Sequence, residues 1–156
     1  MATLTIPIVR DFARKSSPKS ERGAEVVELL LVMPVLIFVF MGIVDFAFMF
    51  QRFAVLTNAA MEGARVGTLP GYQTADVIAR VQAYAASGGV DPSTVAVDAT
   101  PTTVPAPAGG NWPAVQVMVT HNYTLRYVGG MAAFFGGTTL TVPLKARSIM
   151  RNQLGS

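Results

Sequence analysis

Two acidic side chains, Glu28 and Asp45, lie towards the ends of a long apolar segment and are the first candidates for chemistry. The residues between them carry no charge, and as a helix they would span only about 24 Å. A carboxylate at the centre of a membrane costs roughly 2.5–3.5 kcal/mol, so each acid needs an interface, a partner or a function. We interpret Asp45 as marking the end of the apolar segment and Glu28 as a functional group.

The sequence contains no recognisable catalytic or metal-binding constellation. The chain has one histidine, His121, no cysteine and only scattered acids. It also lacks nucleophile-elbow, P-loop and dinucleotide-binding motifs. The sequence therefore predicts a protein without enzymatic activity, cofactor or metal. A membrane-tethered enzyme is the competing hypothesis, and it requires Asp91, Asp98 and His121 to converge in one cleft.

The apolar segment predicts a helix that spans a membrane. Residues 29–50 contain a single charge, Asp45, and would form a helix roughly 33 Å long, which exceeds a hydrocarbon core of about 30 Å. The segment is apolar on all sides, whereas a core helix of a water-soluble protein keeps a polar face. No small-x-small cleavage site follows it, so we expect the span to be retained.

Most of the net charge precedes the span. Residues 1–22 carry five basic and two acidic residues, and their net charge of +3 equals that of the whole chain. The basic pI of about 9.6 therefore belongs to this leader and does not indicate a nucleic-acid partner. Because Lys and Arg favour the cytoplasmic side, we expect a single-pass bacterial inner-membrane protein. Its N-terminus would be cytoplasmic and its C-terminal domain periplasmic or extracellular.

A series of short motifs surrounds and follows the span. They are Arg22-Gly23-Ala24, then Glu28 five positions after Gly23, Met33-Pro34, Gly42 with Asp45-Phe46, Asn58-Ala59-Ala60, and Glu62-Gly63-Ala64-Arg65. A basic leader, a glycine, a glutamate five positions later and an apolar helix resemble a type IV prepilin. The whole series, over residues 22–67, resembles the TadE-like minor pilins or pseudopilins of tight-adherence pilus systems.

This resemblance implies a processing site and an assembly residue. A membrane-embedded prepilin peptidase would cut between Gly23 and Ala24. Glu28 would then pair with the new N-terminal amine of a neighbouring subunit, because a charge buried among apolar helices needs an opposite charge. The implied partners are the prepilin peptidase, other pilin or pseudopilin subunits, the pilus assembly platform and the lipid bilayer.

The implied function is a role in assembling the pilus, by priming, capping or anchoring it. The alternative is an uncleaved single-span protein whose outer domain binds a partner in the cell envelope.

The spanning helix is expected to continue beyond the membrane to about Gly67. The residues that would pack on the outer domain are Phe53, Leu56, Ala60 and either Ala64 or Val66. We expect Arg52 to contact lipid headgroups and Glu62 to pair with Arg65, three positions later on the same helix.

The rest of the chain predicts a second helix and a three-stranded antiparallel sheet, so the predicted fold class is α+β. The second helix would run from an N-cap at Thr74 to about Ala86. Alternating apolar residues predict strands near residues 95–99, 115–127 and 140–146, with a loop at 101–113. Pro143 favours an edge position or a bulge for the last strand.

A glycine-bracketed apolar segment, residues 129–137, joins the last two strands. We expect its large side chains to fold into the core, and the alternative is an exposed patch that binds a partner subunit or lipid. These side chains are Met131, Phe134 and Phe135. The chain would thus comprise a leader (1–23), a spanning helix with its extension (24–67) and an outer α+β domain (68–156).

Overall fold

The computed structural model describes residues 18–134 and 136–152, and its fold is α+β, as the sequence predicts. The elements in chain order are α1 (Pro18–Gly67), α2 (Thr74–Ser87), a 3₁₀ turn (Pro92–Thr94), β1 (Val95–Pro105), β2 (Asn111–Thr124), α3 (Tyr127–Phe134) and β3 (Thr141–Arg151). Helix α3 was not predicted.

Helix α1 is long and apolar enough to cross a membrane between Gly23 and Gly67, and it is the one such helix in the described part of the chain. It ends at Gly67, as predicted, and Pro34 lies within it. The chain divides into two compact units after Phe38. From Val39 onwards α1 therefore belongs to the same unit as α2, α3 and the sheet. The predicted domain boundaries at residues 23 and 67 stay predictions.

Small residues let the C-terminal part of α1 pack closely against its neighbours. The fully buried residues of this segment are Leu56, Ala59, Ala60 and Ala64. A Cβ atom placed on Gly63 would lie 2.4 Å from Cγ2 of Val81 in α2, so only glycine fits there. The predicted packing of Leu56, Ala60 and Ala64 is confirmed. The prediction for Phe53 is wrong, because its side chain is 40% exposed.

Helix α2 begins one residue earlier than predicted, and Thr74 is not its N-cap. Its N-cap is Gln73, whose backbone N–H donates to the carboxylate of Asp76 at 3.0 Å, and Thr74 is the first helical residue. The carboxylate three positions after Gln73 satisfies a donor that the helix itself leaves free. Glu62 also departs from expectation, because it forms its ion pair with Arg80 of α2 at 2.7 Å and not with Arg65.

The three strands form an antiparallel sheet in the order β1-β2-β3. Strand β3 is an edge strand, which agrees with the prediction from Pro143. The predicted loop at residues 101–113 is wrong, because β1 and β2 remain paired as far as Pro105 and Asn111. Only residues 106–110 form the turn. Strand β2 ends at Thr124, so the predicted extension of this strand to Tyr127 is also wrong.

The core lies between the inner face of the sheet and the two long helices. Its buried residues come from α1, α2 and the segment after it, and all three strands: Leu56, Ala59, Ala60, Ala64, Val77, Val81, Ala85, Val90, Val95, Val117, Val119, Leu144 and Ala146. The side chains are small, so a close approach of the backbones supplies much of the packing.

The contact at Gly63 gives a test of this packing. Gly63→Ala should lower the free energy of unfolding by about 1–3 kcal/mol, because the new methyl group overlaps Val81 and the well-packed core must shift. Gly130→Ala is the matched control, since a Cβ there meets nothing within 4 Å. Thermal unfolding of the detergent-solubilised chain measures both. Equal stability of the two variants would contradict the close approach of α1 and α2.

Candidate functional site: the acidic residues of the apolar helix

The predicted processing site lies in α1 with its residues exposed. Gly23 and Ala24 are both exposed, and a Cβ atom placed on Gly23 would meet nothing within 4 Å. Alanine at position 23 is therefore compatible with the fold. The helical backbone runs through the Gly23–Ala24 bond, because α1 begins at Pro18.

Glu28 is exposed on the same helix, one turn beyond Ala24. Within residues 18–134 and 136–152 its carboxylate forms no hydrogen bond or ion pair. An exposed carboxylate at the head of an apolar helix has water, a lipid headgroup or another protein chain as its possible partner. The chain itself does not supply one among the described residues.

Asp45 has the opposite environment, because its side chain is fully buried. Its carboxylate accepts three backbone hydrogen bonds from the start of α3. Oδ1 accepts from the N–H of Arg126 at 3.0 Å, and Oδ2 accepts from Tyr127 at 2.9 Å and Val128 at 2.7 Å. Asp45 thus binds the N-terminus of α3, where helical N–H groups lack intrahelical partners and the dipole favours a negative charge. Its role is more than that of a residue at the end of the apolar segment.

Contacts on either side of Asp45 also hold α3 against α1. One turn before Asp45, a Cβ atom on Gly42 would lie 3.9 Å from the Val128 side chain, so the helices are close at this level. One turn after it, the rings of Phe48 and Tyr127 stack with their centroids 6.4 Å apart. The first turn of α3 therefore contacts α1 both before and after Asp45.

The apolar segment that was expected to fold into the core is largely helix α3. Met131 is half-buried, but Phe134 is 84% exposed, so the expectation is wrong for Phe134. Phe135 lies outside the described residues. The sequence pattern did not reveal this helix, because it contains two adjacent glycines, which disfavour helix, and because its eight residues are too few for a clear helical periodicity.

A cleft of about 400 Å³ lies beside this junction, and it tests the enzyme hypothesis. Asp91 and His121 both line it, but Asp98 does not, so the three residues do not converge. The Asp91 carboxylate accepts from the N–H and the hydroxyl of Ser93, and these bonds hold the pKa of Asp91 below its ordinary value. No group of three or more potential metal ligands occurs in the described part of the chain.

Arg52, a basic residue of the cleft, has structural partners. Arg52 donates from Nη1 to the carbonyl oxygens of Gly88, at 3.4 Å, and Gly89, so it connects α1 to the C-terminal end of α2. Its expected contact with lipid headgroups stays a prediction. Burial raises the pKa of Tyr123, and the negative charge of Asp45 acts in the same direction.

The described residues fit a single-pass membrane protein, because they contain one apolar helix long enough to cross a bilayer, followed by a small α+β domain. Residues 23–65 match the model of a known family, described as TadE-like protein. The match confirms, over these residues, the resemblance recognised in the sequence. No curated protein and no solved structure matches the chain.

Sequence reasoning missed the contact between Asp45 and α3. Asp45 and the residues that donate to it are 81–83 positions apart in the chain. The donors are backbone N–H groups, so no side-chain motif in the sequence indicates them. The one available signal was the cost of placing a carboxylate within an apolar segment. That cost indicates a partner without identifying it.

Loss of the Asp45 carboxylate should release α3. Asp45→Leu leaves three N–H groups without their acceptor, and we expect a loss of about 1–3 kcal/mol in the free energy of unfolding. Amide exchange at Tyr127 and Val128 should become faster. Asp98→Leu, at an exposed position of β1, is the control. Unchanged exchange at both amides in the Asp45 variant would show that the carboxylate does not hold the helix.

Proposed function

We propose that this protein is a minor pilin or pseudopilin of a tight-adherence pilus. It enters the inner membrane with its N-terminus in the cytoplasm, and a prepilin peptidase cuts it after Gly23. It then joins other subunits through the stem, residues 24–53. The observation that carries the proposal is the family match over residues 23–65, which contains the cleavage junction, Glu28 and the span together.

The different environments of the two acids support an assembly role for Glu28. Asp45 is fully buried and hydrogen-bonded within the chain, whereas Glu28 is exposed and has no partner among the described residues. A carboxylate that enters a bundle of apolar stems requires an opposite charge. The N-terminal amine that cleavage creates on a neighbouring subunit supplies that charge, and the pairing sets the axial position of one subunit against the next.

The outer domain would prime, cap or anchor the pilus. We expect it to act by binding other subunits; Asp91 and His121 form hydrogen bonds with residues of the adjacent turn, Ser93 and Thr94. The peptidase, the other subunits and the assembly platform are the proposed protein partners.

A second candidate is an uncleaved single-span protein whose outer domain binds an envelope partner. The continuous helix across the Gly23–Ala24 bond favours it, because a peptidase needs the bond in an extended backbone and must first unwind this turn. The two candidates differ in the N-terminus of the mature chain.

Processing should depend on Gly23. With the matching peptidase present, the membrane-extracted protein should begin at Ala24, and without it the leader should remain. Gly23→Ala should block cleavage without disturbing the fold, because a Cβ there has open space. Gly42→Ala, a second glycine of α1 with room for a methyl group, should be cleaved normally. Mass spectrometry of the N-terminus measures whether the leader has been removed. An intact leader in the strains with and without the peptidase would favour the uncleaved protein.

Assembly should depend on Glu28 but not on Glu25. Both glutamates are exposed on the first turns after the cleavage junction, so Glu25→Gln is a matched control for Glu28→Gln. An unpaired charge in an apolar bundle costs about 2.5–3.5 kcal/mol, so incorporation of the Glu28 variant should fall on the order of 100-fold. Both variants should still be cleaved.

Pilus yield after shearing and the subunit content of the pili measure this effect. Normal pili in the Glu28→Gln strain would contradict the pairing with the amine, while leaving cleavage after Gly23 intact as a separate result.

A further inference from the structure

We propose that α3 is a second membrane-inserted element, which lies in the outer part of the hydrocarbon region beside α1 and is covered by lipid acyl chains. The inference rests on the proposed membrane span of α1. It goes beyond that span by assigning a lipid-facing role to residues 127–134, which lie more than 75 positions after the span in the sequence.

The level at which α3 contacts α1 is the first argument. The apolar segment of α1 ends at Phe50, and Gln51 is the first polar residue after it. Asp45 lies six residues before Gln51, or about 9 Å along the helix, and Gly42 lies about 14 Å before it. Because Asp45 binds the start of α3 and Gly42 approaches Val128, this turn of α3 lies beside the apolar segment.

The hydrogen bonds at the two ends of α3 are the second argument. Backbone groups that face lipid must find partners inside the protein, since the hydrocarbon offers none. The carboxylate of Asp45 accepts from the N–H groups of Tyr127 and Val128 at the first end. At the other end, the N–H groups of Gly136 and Gly137 donate to the carbonyl oxygens of Ala133 and Ala132, at 3.1 and 2.7 Å.

The composition of α3 is the third argument. From Val128 to Phe134 it contains no charged residue and no side chain with a conventional hydrogen-bonding group. Ala133 is nevertheless exposed, and Phe134 is 84% exposed. A short helix on a water-facing surface would present polar residues on its outer side. An apolar exposed side on a helix that contacts the apolar segment of α1 fits acyl chains.

Arginine and tyrosine residues are placed where the interface is expected. Arg52 follows the apolar segment of α1, and Arg126 immediately precedes α3. Both line the cleft together with Tyr123 and Tyr127. Long basic side chains extend towards water from a buried backbone, and tyrosine is enriched at membrane interfaces. The cleft therefore faces the headgroup level, with α3 on its membrane side.

Spin labels can locate α3 because the chain has no cysteine. Three exposed alanines provide matched single-cysteine variants: Ala133→Cys in α3, Ala47→Cys in the apolar segment of α1 and Ala96→Cys in β1. The full-length chain is reconstituted in lipid nanodiscs, and collision with oxygen is compared with collision with a water-soluble nickel chelate. We expect the label at 133 to be accessible to oxygen and protected from nickel, as at 47, and the label at 96 to show the reverse.

Each other outcome overturns the inference in a distinguishable way. A label at 133 that behaves like the one at 96 would place α3 in water, with the span of α1 intact. Protection from both reagents, with dipolar broadening between labels, would mean that a second copy covers α3. Nickel access at 47 would remove both the span and the inference.

Fluorescence quenching gives an independent measurement. The natural chain has one tryptophan, Trp112, which lies at the opposite end of β2 from α3, about 40 Å away along the strand. In a Trp112→Phe background, Phe134→Trp should be quenched by lipids brominated on their acyl chains, whereas Trp112 of the natural chain should not. Equal quenching of the two tryptophans would contradict insertion of α3.

Discussion

The bond between the Asp45 carboxylate and the N-terminus of α3 is the constraint on which the arrangement near the membrane depends. A buried carboxylate within an apolar helix is tolerable only when strong donors surround it, and here three backbone N–H groups do so. The same bonds satisfy donors that α3 cannot satisfy itself. The carboxylate and the N–H groups therefore offset each other's desolvation cost. This mutual stabilisation explains how an eight-residue helix with two glycines can form.

Glu28, the other acid of the apolar segment, has no such donors among the described residues. It is exposed on α1, and no described residue pairs with it. The two acids of the apolar segment thus divide into one that stabilises the fold and one that is available to another chain. This difference gives the proposed pairing with a neighbour's N-terminal amine a physical basis that does not depend on the family resemblance alone.

The family match, residues 23–65, includes buried small residues by which α1 packs on the domain. Ala59, Ala60, Gly63 and Ala64 bring the backbone of α1 close to α2 and the sheet, and at Gly63 a single methyl group would overlap Val81. The small residues of the matched motif therefore have a packing role. The Arg52 bonds to Gly88 and Gly89 and the ion pair of Glu62 with Arg80 also connect α1 to α2.

The sequence by itself determined the long apolar helix, its end at Gly67, the second helix, the antiparallel sheet and the edge position of β3. These features follow from local composition, from periodicity and from the missing donor of Pro143. Only the tertiary structure decided the partner of Asp45, the existence of α3, the pairing of Glu62 with Arg80 and the extension of the β1–β2 hairpin. Each of these features depends on groups far apart in the sequence or on strand pairing that overrides local turn signals. A charge within an apolar segment indicates that a partner is needed, but the sequence does not identify that partner.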